Sequence, residues 1–345
     1  RQMCIRDSPH TVELMPAEGS GCRNYQGPAW YRKHFVLPAE TKGQRVVLHF
    51  EAAMGKQILY LNGKRIQEHL GGYLPFTLDL TANGVQAGDS CLLAVFTDNS
   101  DDKSYPPGKR QYTLDFAYHG GIYRDVWMIA KSPVAITDAI DSQTVGGGGV
   151  FVHFDKISEK SAQVYVNTEV QNDDARFESV TVETTLTDAD GKVIKRSSGK
   201  LSLKPGEKKI IRQQMEVKNP TLWSPDTPYL YRVQSRIKKG NKSIDGGITR
   251  VGIRLAEFRG KDGFWLNGKP FGQLVGANRH QDFAYVGNAL PNSQQWRDAK
   301  RLRDAGCTII RVAHYPQDPA FMDACDELGV FVIVATPGWQ YWHKD

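Results

Sequence analysis

The stretch from Phe271 to Trp342 constrains the fold of this chain most, because its hydrophobic period alternates between that of a strand and that of a helix. An apolar run, Phe271 to Val275, breaks at Gly276 into a polar knot of Asn278, Arg279 and His280, which reads as a buried strand delivering polar side chains at its C-terminal end. Asn292 or Ser293 can cap the helix that follows, Trp296, Ala299 and Leu302 recur at helical spacing, and Gly306 supplies a left-handed stop. The unit then repeats. Thr308 to Val312 is a strand ending in Arg311 and His314, Asp318-Pro319 is an N-cap with proline at the first helical position, and Phe321, Cys325 and Leu328 form a buried stripe closed by Gly329. A third strand, Val330 to Val334, completes β-α-β-α-β. Such an order demands a parallel sheet, open or closed into a barrel, with chemistry at the C-terminal ends of the strands.

The chain before this stretch is built of short strands. From about Pro9 to Val134, Val46, Leu48 and Phe50 alternate toward one face, and Ile58 to Leu61 runs into Asn62-Gly63, a dipeptide that favours a type I′ hairpin turn. Many short strands at such spacing suggest a sandwich. Ser100 to His119 is polar, carries Pro106-Pro107 and is too long for a hairpin turn, and long ordered loops are more often functional than short ones. From about Ala135 to Arg254 a second β-rich block follows, with Gly146 to Gly149 between apolar strands, a hairpin signal at Asp190-Gly191, and alternation through Val164, Val166 and Thr168. Its length fits an immunoglobulin-like sandwich, and Trp223 reads as a packing residue under a proline-fixed turn rather than a sugar platform. Trp265-Leu266-Asn267-Gly268 makes a small hairpin ahead of the parallel unit.

A chain of 345 residues is long enough for two or three domains. Its 44 basic and 38 acidic side chains leave a net charge of +6, dispersed along the sequence, which points to a solvated surface and no nucleic-acid partner. No apolar run approaches a membrane span, so no membrane partner is expected either. Cys4, Cys22, Cys91, Cys307 and Cys325 lie far apart with no CxxC, and read as buried free thiols rather than disulfides or a metal site. Arg1 to Ser8 has neither strand nor helix pattern, so the native start is expected to be missing and the localisation stays open.

Several strings then carry a resemblance. NRHQD at 278–282, RVAHYPQDP at 311–319 and CDELGVFVI at 325–333 resemble the start of the catalytic barrel in family 2 of the glycoside hydrolases, the β-galactosidase and β-glucuronidase relatives. WYRKHFVLP at 30–38, LNGK at 61–64, GGYLPF at 71–76, DFAYHGGIYRDVWM at 115–128 and LWSPDTPYLY at 222–231 match in the family's order. The resemblance implies an all-β jelly-roll sugar-binding-type domain over 9–134, an immunoglobulin-like β-sandwich over 135–254, and the first β-α-β-α-β part of a TIM (β/α)8 barrel over 255–345. It implies hydrolysis of O-glycosidic bonds in β-linked glycosides, β-galactosidase-like and retaining, on a β-glycoside or oligosaccharide substrate, with no cofactor. Homo-oligomerisation is left open.

A retaining enzyme needs two carboxyl groups about 5–5.5 Å apart. Asp298 and Asp304 fall on the first helix, Asp323, Asp326 and Glu327 on the second, and Asp282 has no partner at another strand end. The family's acid/base and nucleophile come from later barrel strands, expected beyond Asp345, so no catalytic residue is assigned here. The resemblance instead marks Asp115, His280, Arg311 and His314 as substrate-binding: carboxylate, imidazole and guanidinium groups suit sugar hydroxyls or a sugar carboxylate. Each also has a plainer reading, a turn cap for Asp115 and a buried polar network for the other three. Gln281 stands where the family often has Glu, and Val334-Ala335 where many relatives have Asp-Glu, so no metal site is expected. Trp339 and Trp342 could stack on a pyranose or pack between domains. An incomplete barrel would leave Leu274, Ile309, Ile310, Val332 and Ile333 uncovered, so residues 271–345 are expected to be disordered, aggregating or paired with another chain while both sandwiches fold independently. The alternative function is a non-catalytic carbohydrate-binding or scaffold protein built from the two sandwiches.

Overall fold

Alternation of apolar and polar residues sets the first layer of structure. In the computed structural model, which describes residues 8–12, 25–114 and 116–336, seven strands make the N-terminal sandwich. They are β1 (Pro28–Val36), β2 (Arg45–Phe50), β3 (Lys56–Leu61), β4 (Lys64–Leu70), β5 (Phe76–Asp79), β6 (Ser90–Asp98) and β7 (Val126–Lys131), in sheets of order β1-β6-β3-β4 and β5-β2-β7. Val46, Leu48 and Phe50 point inward from β2 to meet Leu59, Leu61 and Val95, and Phe50 stacks on Phe76 with ring centroids 4.7 Å apart. Asn62 and Gly63 adopt φ of 50° and 83° between β3 and β4, the left-handed pair that a type I′ turn requires.

The chain divides into two compact units. The first joins the N-terminal sandwich to Gly276–Cys325 and the described residues from Val332 to Thr336. Here β19 (Gly276–Arg279), α1 (Asn292–Asp304), β20 (Ile309–Val312), α2 (Pro319–Leu328) and β21 (Phe331–Val334) form a three-stranded sheet of order β19-β20-β21 with two crossover helices. β19 and β20 are parallel, with Gly276 beside Ile309 and Arg279 beside Val312.

The first parallel strand begins later than the apolar run predicts. Phe271 N donates to Phe264 O, and its ring packs edge-on against Phe264 at 5.5 Å, so the run is engaged with the small hairpin instead. The sheet starts at Gly276 because a Cβ there would lie 1.6 Å from Ile309 O. At α1 the N-cap position is Pro291, not Asn292 or Ser293, and the Asn292 amide donates to Asp125 Oδ2 at 3.1 Å. Trp296 is 38% exposed, and the buried positions are Gln295 and Ala299. α2 follows its sequence signal: Asp318 Oδ1 accepts from Ala320 N at 2.9 Å, and Phe321 and Cys325 are buried.

The second unit, Lys131–Val275 with Asp326–Phe331, holds the immunoglobulin-like sandwich. Its strands are β8 (Val134–Ile136), β9 (Val150–Asp155), β10 (Ser161–Asn172), β11 (Glu178–Thr187), β12 (Val193–Leu203), β13 (Lys208–Lys218), β14 (Tyr231–Lys239) and β15 (Lys242–Val251). One sheet runs β13-β10-β8 with β9 also on β10, and the other runs β12-β11-β14-β15. Val164, Val166, Leu186 and Val233 fill the space between. A small sheet of β16 (Ala256–Phe258), β17 (Phe264–Leu266) and β18 (Lys269–Pro270) turns at Asn267-Gly268, φ 53° and 77°. Trp223 is a packing residue: its Nε1 donates to Asp326 O at 2.9 Å, and the Arg254 guanidinium lies 4.5 Å over its ring. Among the described residues, Cys91, Cys307 and Cys325 form no disulfide, Cys91 and Cys325 being buried and Cys307 half-buried, and no helix is long and apolar enough to cross a membrane.

Candidate substrate-binding site

Two parallel strands deliver the residues that follow their C-terminal ends to one place. His280 comes directly after β19 and His314 two residues after β20, and their rings meet edge to face at 5.3 Å. Phe116, from the long segment of the N-terminal sandwich, stacks on His280 at 5.6 Å and lies 5.4 Å from His314. Tyr315 sits 5.7 Å from Phe116 and stacks on Tyr73 at 4.3 Å. With Ala52, Met54, Leu114, Tyr118 and Tyr123 these rings form one buried cluster, so the sandwich supplies most of an aromatic floor on which barrel histidines rest.

The long segment from Ser100 to His119 is shaped for this. Tyr105, Leu114, Phe116 and Tyr118 are buried, and Asp101 accepts from Tyr118 Oη, from Gln26 Nε2 at 2.7 Å and from Gln111 N at 3.0 Å. Gly121 carries φ +119°, and a Cβ there would lie 2.5 Å from both His10 O and Tyr31 Oη, so the chain can pass only as glycine. Burial pushes the hydroxyl pKa of Tyr73, Tyr123 and Tyr315 up, and the charge of Asp282 adds to the effect at Tyr315. The floor therefore stays uncharged and its phenols remain donors; Tyr123 Oη donates to Gly72 O at 2.5 Å.

Of the residues that the sequence marks, His280 and His314 are brought together, and Arg311 is half-buried on β20 beside Asn278. Asp115 lies outside the described residues, as do Trp339 and Trp342; its neighbours Leu114 and Phe116 belong to the aromatic cluster. The polar knot at the end of β19 splits by strand alternation. Asn278 is exposed, while Arg279 turns to the helices, donating to Gln317 Oε1 at 2.6 Å, Gln295 Oε1 at 2.8 Å and Asp298 Oδ2 at 2.7 Å. Its guanidinium also lies 4.0 Å from the Phe321 ring.

Arg124 is the residue that sequence reasoning missed. It is buried, and its Nη2 donates to Gln281 Oε1 at 3.0 Å and to Pro316 O at 2.7 Å, tying the sandwich to the ends of both β19 and β20. Gln281 thus meets the guanidinium as a neutral acceptor. Burial raises the Asp318 carboxyl above its ordinary range, and Arg124 acts in the opposite direction. Burial likewise lowers the His119 pKa against the charge of Asp282 and the bond to Asn288, so this imidazole is held neutral. Three acids of this segment are already engaged: Asp298 with Arg279, Asp304 with Lys300 at 2.7 Å, and Asp318 in capping α2, while Asp282 is exposed. Of the rings at this site His280 is half-buried, whereas Phe116, His314 and Tyr315 are buried.

Three models of one family match in sequence along the chain: the sugar binding domain of glycosyl hydrolases family 2 over 11–133, glycosyl hydrolases family 2 over 148–254, and the family 2 TIM barrel domain over 258–341. The chain belongs to family 2 of the glycosyl hydrolases. Its two sandwiches are accordingly the family's jelly-roll and immunoglobulin-like domains, and β19 to β21 are strands of a TIM barrel. This family 2 chain is 34% identical over 334 residues to a β-galactosidase of Thermoanaerobacter pseudethanolicus, covering 96% of the chain and 42% of the relative. A β-glucuronidase of Formosa agariphila is 33% identical over 320 residues, covering 90% of the chain and 32% of the relative. Among solved structures, a family 2 β-glucuronidase superimposes with a TM-score of 0.87 at 32% identity, over 96% of this chain and 36% of that one. The Bacteroides uniformis β-glucuronidase gives 0.82 at 31% identity, over 96% of this chain and 39% of that one. The chain therefore spans between about a third and about two fifths of the length of these proteins.

Proposed function

We propose that the whole enzyme hydrolyses O-glycosidic bonds in β-linked glycosides, β-galactosidase-like and with retention of configuration, and that the residues described above hold the sugar. The observation that carries this reading is the run of three family 2 matches from 11 to 341, in a chain whose relatives include a β-galactosidase and a β-glucuronidase. The domains are taken as 9–134, 135–254 and 255–345. His280 and His314 offer imidazole donors and acceptors to ring hydroxyls, Arg311 a planar fork, and Asp115 a carboxylate. Retention requires an acid/base and a nucleophile about 5–5.5 Å apart. Because Asp298, Asp304 and Asp318 are bound up in ion pairs or a helix cap, that pair is assigned to barrel strands other than β19 to β21. The two carboxyl groups supply the chemistry with no cofactor.

The test is to express the entire reading frame and assay nitrophenyl β-galactoside, β-glucuronide and β-glucoside. The β-galactoside should have the highest kcat/KM. Asp115→Ala and His280→Ala should lower it with the circular dichroism unchanged, because hydrogen bonds to sugar hydroxyls strengthen toward the transition state. Retention of a sugar on an affinity matrix without hydrolysis of any glycoside would establish a carbohydrate-binding protein instead.

A further inference from the structure

Residues directly opposite one another in an antiparallel sheet project from the same face, so the registers of β12, β11, β14 and β15 define what their outer surface displays. One row reads Arg196, Thr185, Gln234, Ile248; the next reads Ser198, Glu183, Arg236, Gly246; a third contains Lys200, Thr181 and Lys238. Arg232 and Arg250 pair in the same alternation beyond the first row. The opposite face is the core, with Val182, Leu186, Val233 and Ile237 fully buried. The outer face therefore gathers the cations of Arg196, Lys200, Arg232, Arg236, Lys238 and Arg250 around the single carboxylate of Glu183. Along the sequence these charges are dispersed. The period of two collects them from three adjacent strands and β15.

Internal pairing accounts for part of this charge. Lys238 reaches Glu183 at 3.1 Å, Arg250 pairs with Glu327, and Arg232 donates to the Ala189 carbonyl at 2.6 Å. The nearby turn acid Asp188 accepts from Asp190 N at 3.1 Å and Lys192 N at 2.8 Å. Arg196, Lys200 and Arg236 are exposed and make no ion pair among the described residues. Arg196 and Arg236 line an open groove of about 570 Å³ together with Thr185, Ser198, Gln234 and Glu183, whose carboxylate is the one paired with Lys238.

We propose that this groove docks a stretch of anionic polysaccharide. Two guanidinium forks two strands apart, about 10 Å, suit carboxylate or sulfate groups carried along a chain. The hydroxyl and amide side chains between them suit ring hydroxyls. No aromatic ring lines the groove, so the bases of a single-stranded nucleic acid would find no stacking platform. A second copy of this chain across a two-fold axis would set like charges against each other. The site is independent of the proposed hydrolase reaction.

Binding of dextran sulfate, polygalacturonate, neutral dextran and a DNA duplex to the full chain, by titration calorimetry at low and physiological salt, tests this. One or both anionic glycans should bind, more weakly as salt rises, and neutral dextran should not; which of the two binds separates sulfate from carboxylate recognition. Arg196→Glu with Arg236→Glu should weaken binding roughly tenfold or more with an unchanged Tm. Lys42→Glu with Lys64→Glu, the same change of net charge at exposed positions of the other unit, should bind as wild type. An equal loss in both variants, equal binding of neutral dextran, DNA held as tightly as the glycans, or no glycan binding at low salt would each overturn the proposal.

Discussion

Arg124 brings a charge into a buried place, and the energetics of that placement depend on what it bonds. Its Nη2 spans Gln281 Oε1 and Pro316 O, an amide and a backbone carbonyl, so most of its compensation comes from dipoles rather than a counter-ion. Arg124→Met keeps much of the volume but leaves both acceptors unsatisfied, and it should lower unfolding free energy by about 2–4 kcal/mol. A urea midpoint within error of wild type would show that water or relaxation replaces the guanidinium. This residue was poorly legible in the sequence, because a lone arginine inside IYRD has no periodic signature and its partners lie far along the chain, at 281 and 316. His280 and His314 were legible as a pair because each follows a β-branched or polar strand end that the parallel pattern brings together. Arg279 stood in the same motif, yet the alternation of β19 sends it to Asp298 and Phe321 on the helix side.

At the scale of elements, the turns were the most legible features, since Asn62-Gly63 and Asn267-Gly268 state a backbone requirement that only certain residues meet. Strand limits were less so. The apolar run at Phe271–Val275 has the hydrophobicity of a buried strand, but Phe271 and Phe331 pack against each other at 5.6 Å in the second unit, and pairing begins at Gly276. What decides that start is a backbone approach too close for any side chain, which hydrophobicity does not encode. Gly276→Ala should accordingly cost about 1–3 kcal/mol by prying β19 from β20. Gly247→Ala on β15, where a Cβ meets nothing within 4 Å, should leave stability nearly unchanged. Equal midpoints for the two variants would mean that β19 can shift without loss.

At the scale of the whole molecule, the boundary that matters for stability differs from the order of domains along the chain. The sequence suggests that the barrel strands, lacking partners on one side, would detach and leave both sandwiches folded. Ile309 is half-buried, and Ile333 and Val334 remain 50% and 52% exposed, but Ile310 and Val312 are fully buried. Tyr315 shares one core with Tyr73, Phe116 and Tyr118, and Arg124 fastens the same strand ends. Gly276–Cys325 and the N-terminal sandwich should therefore open as one cooperative unit. Native-state hydrogen exchange is the direct measurement. Amides of β20 should be protected to the same opening free energy as those of β2, and Tyr315→Ala, which removes a fully buried ring, should lower both together by about 3–5 kcal/mol. Loss of protection confined to β19 to β21, with the sandwich amides unaffected, would mean that the strands are a loosely attached appendage and that the shared aromatic core contributes little to the stability of the unit.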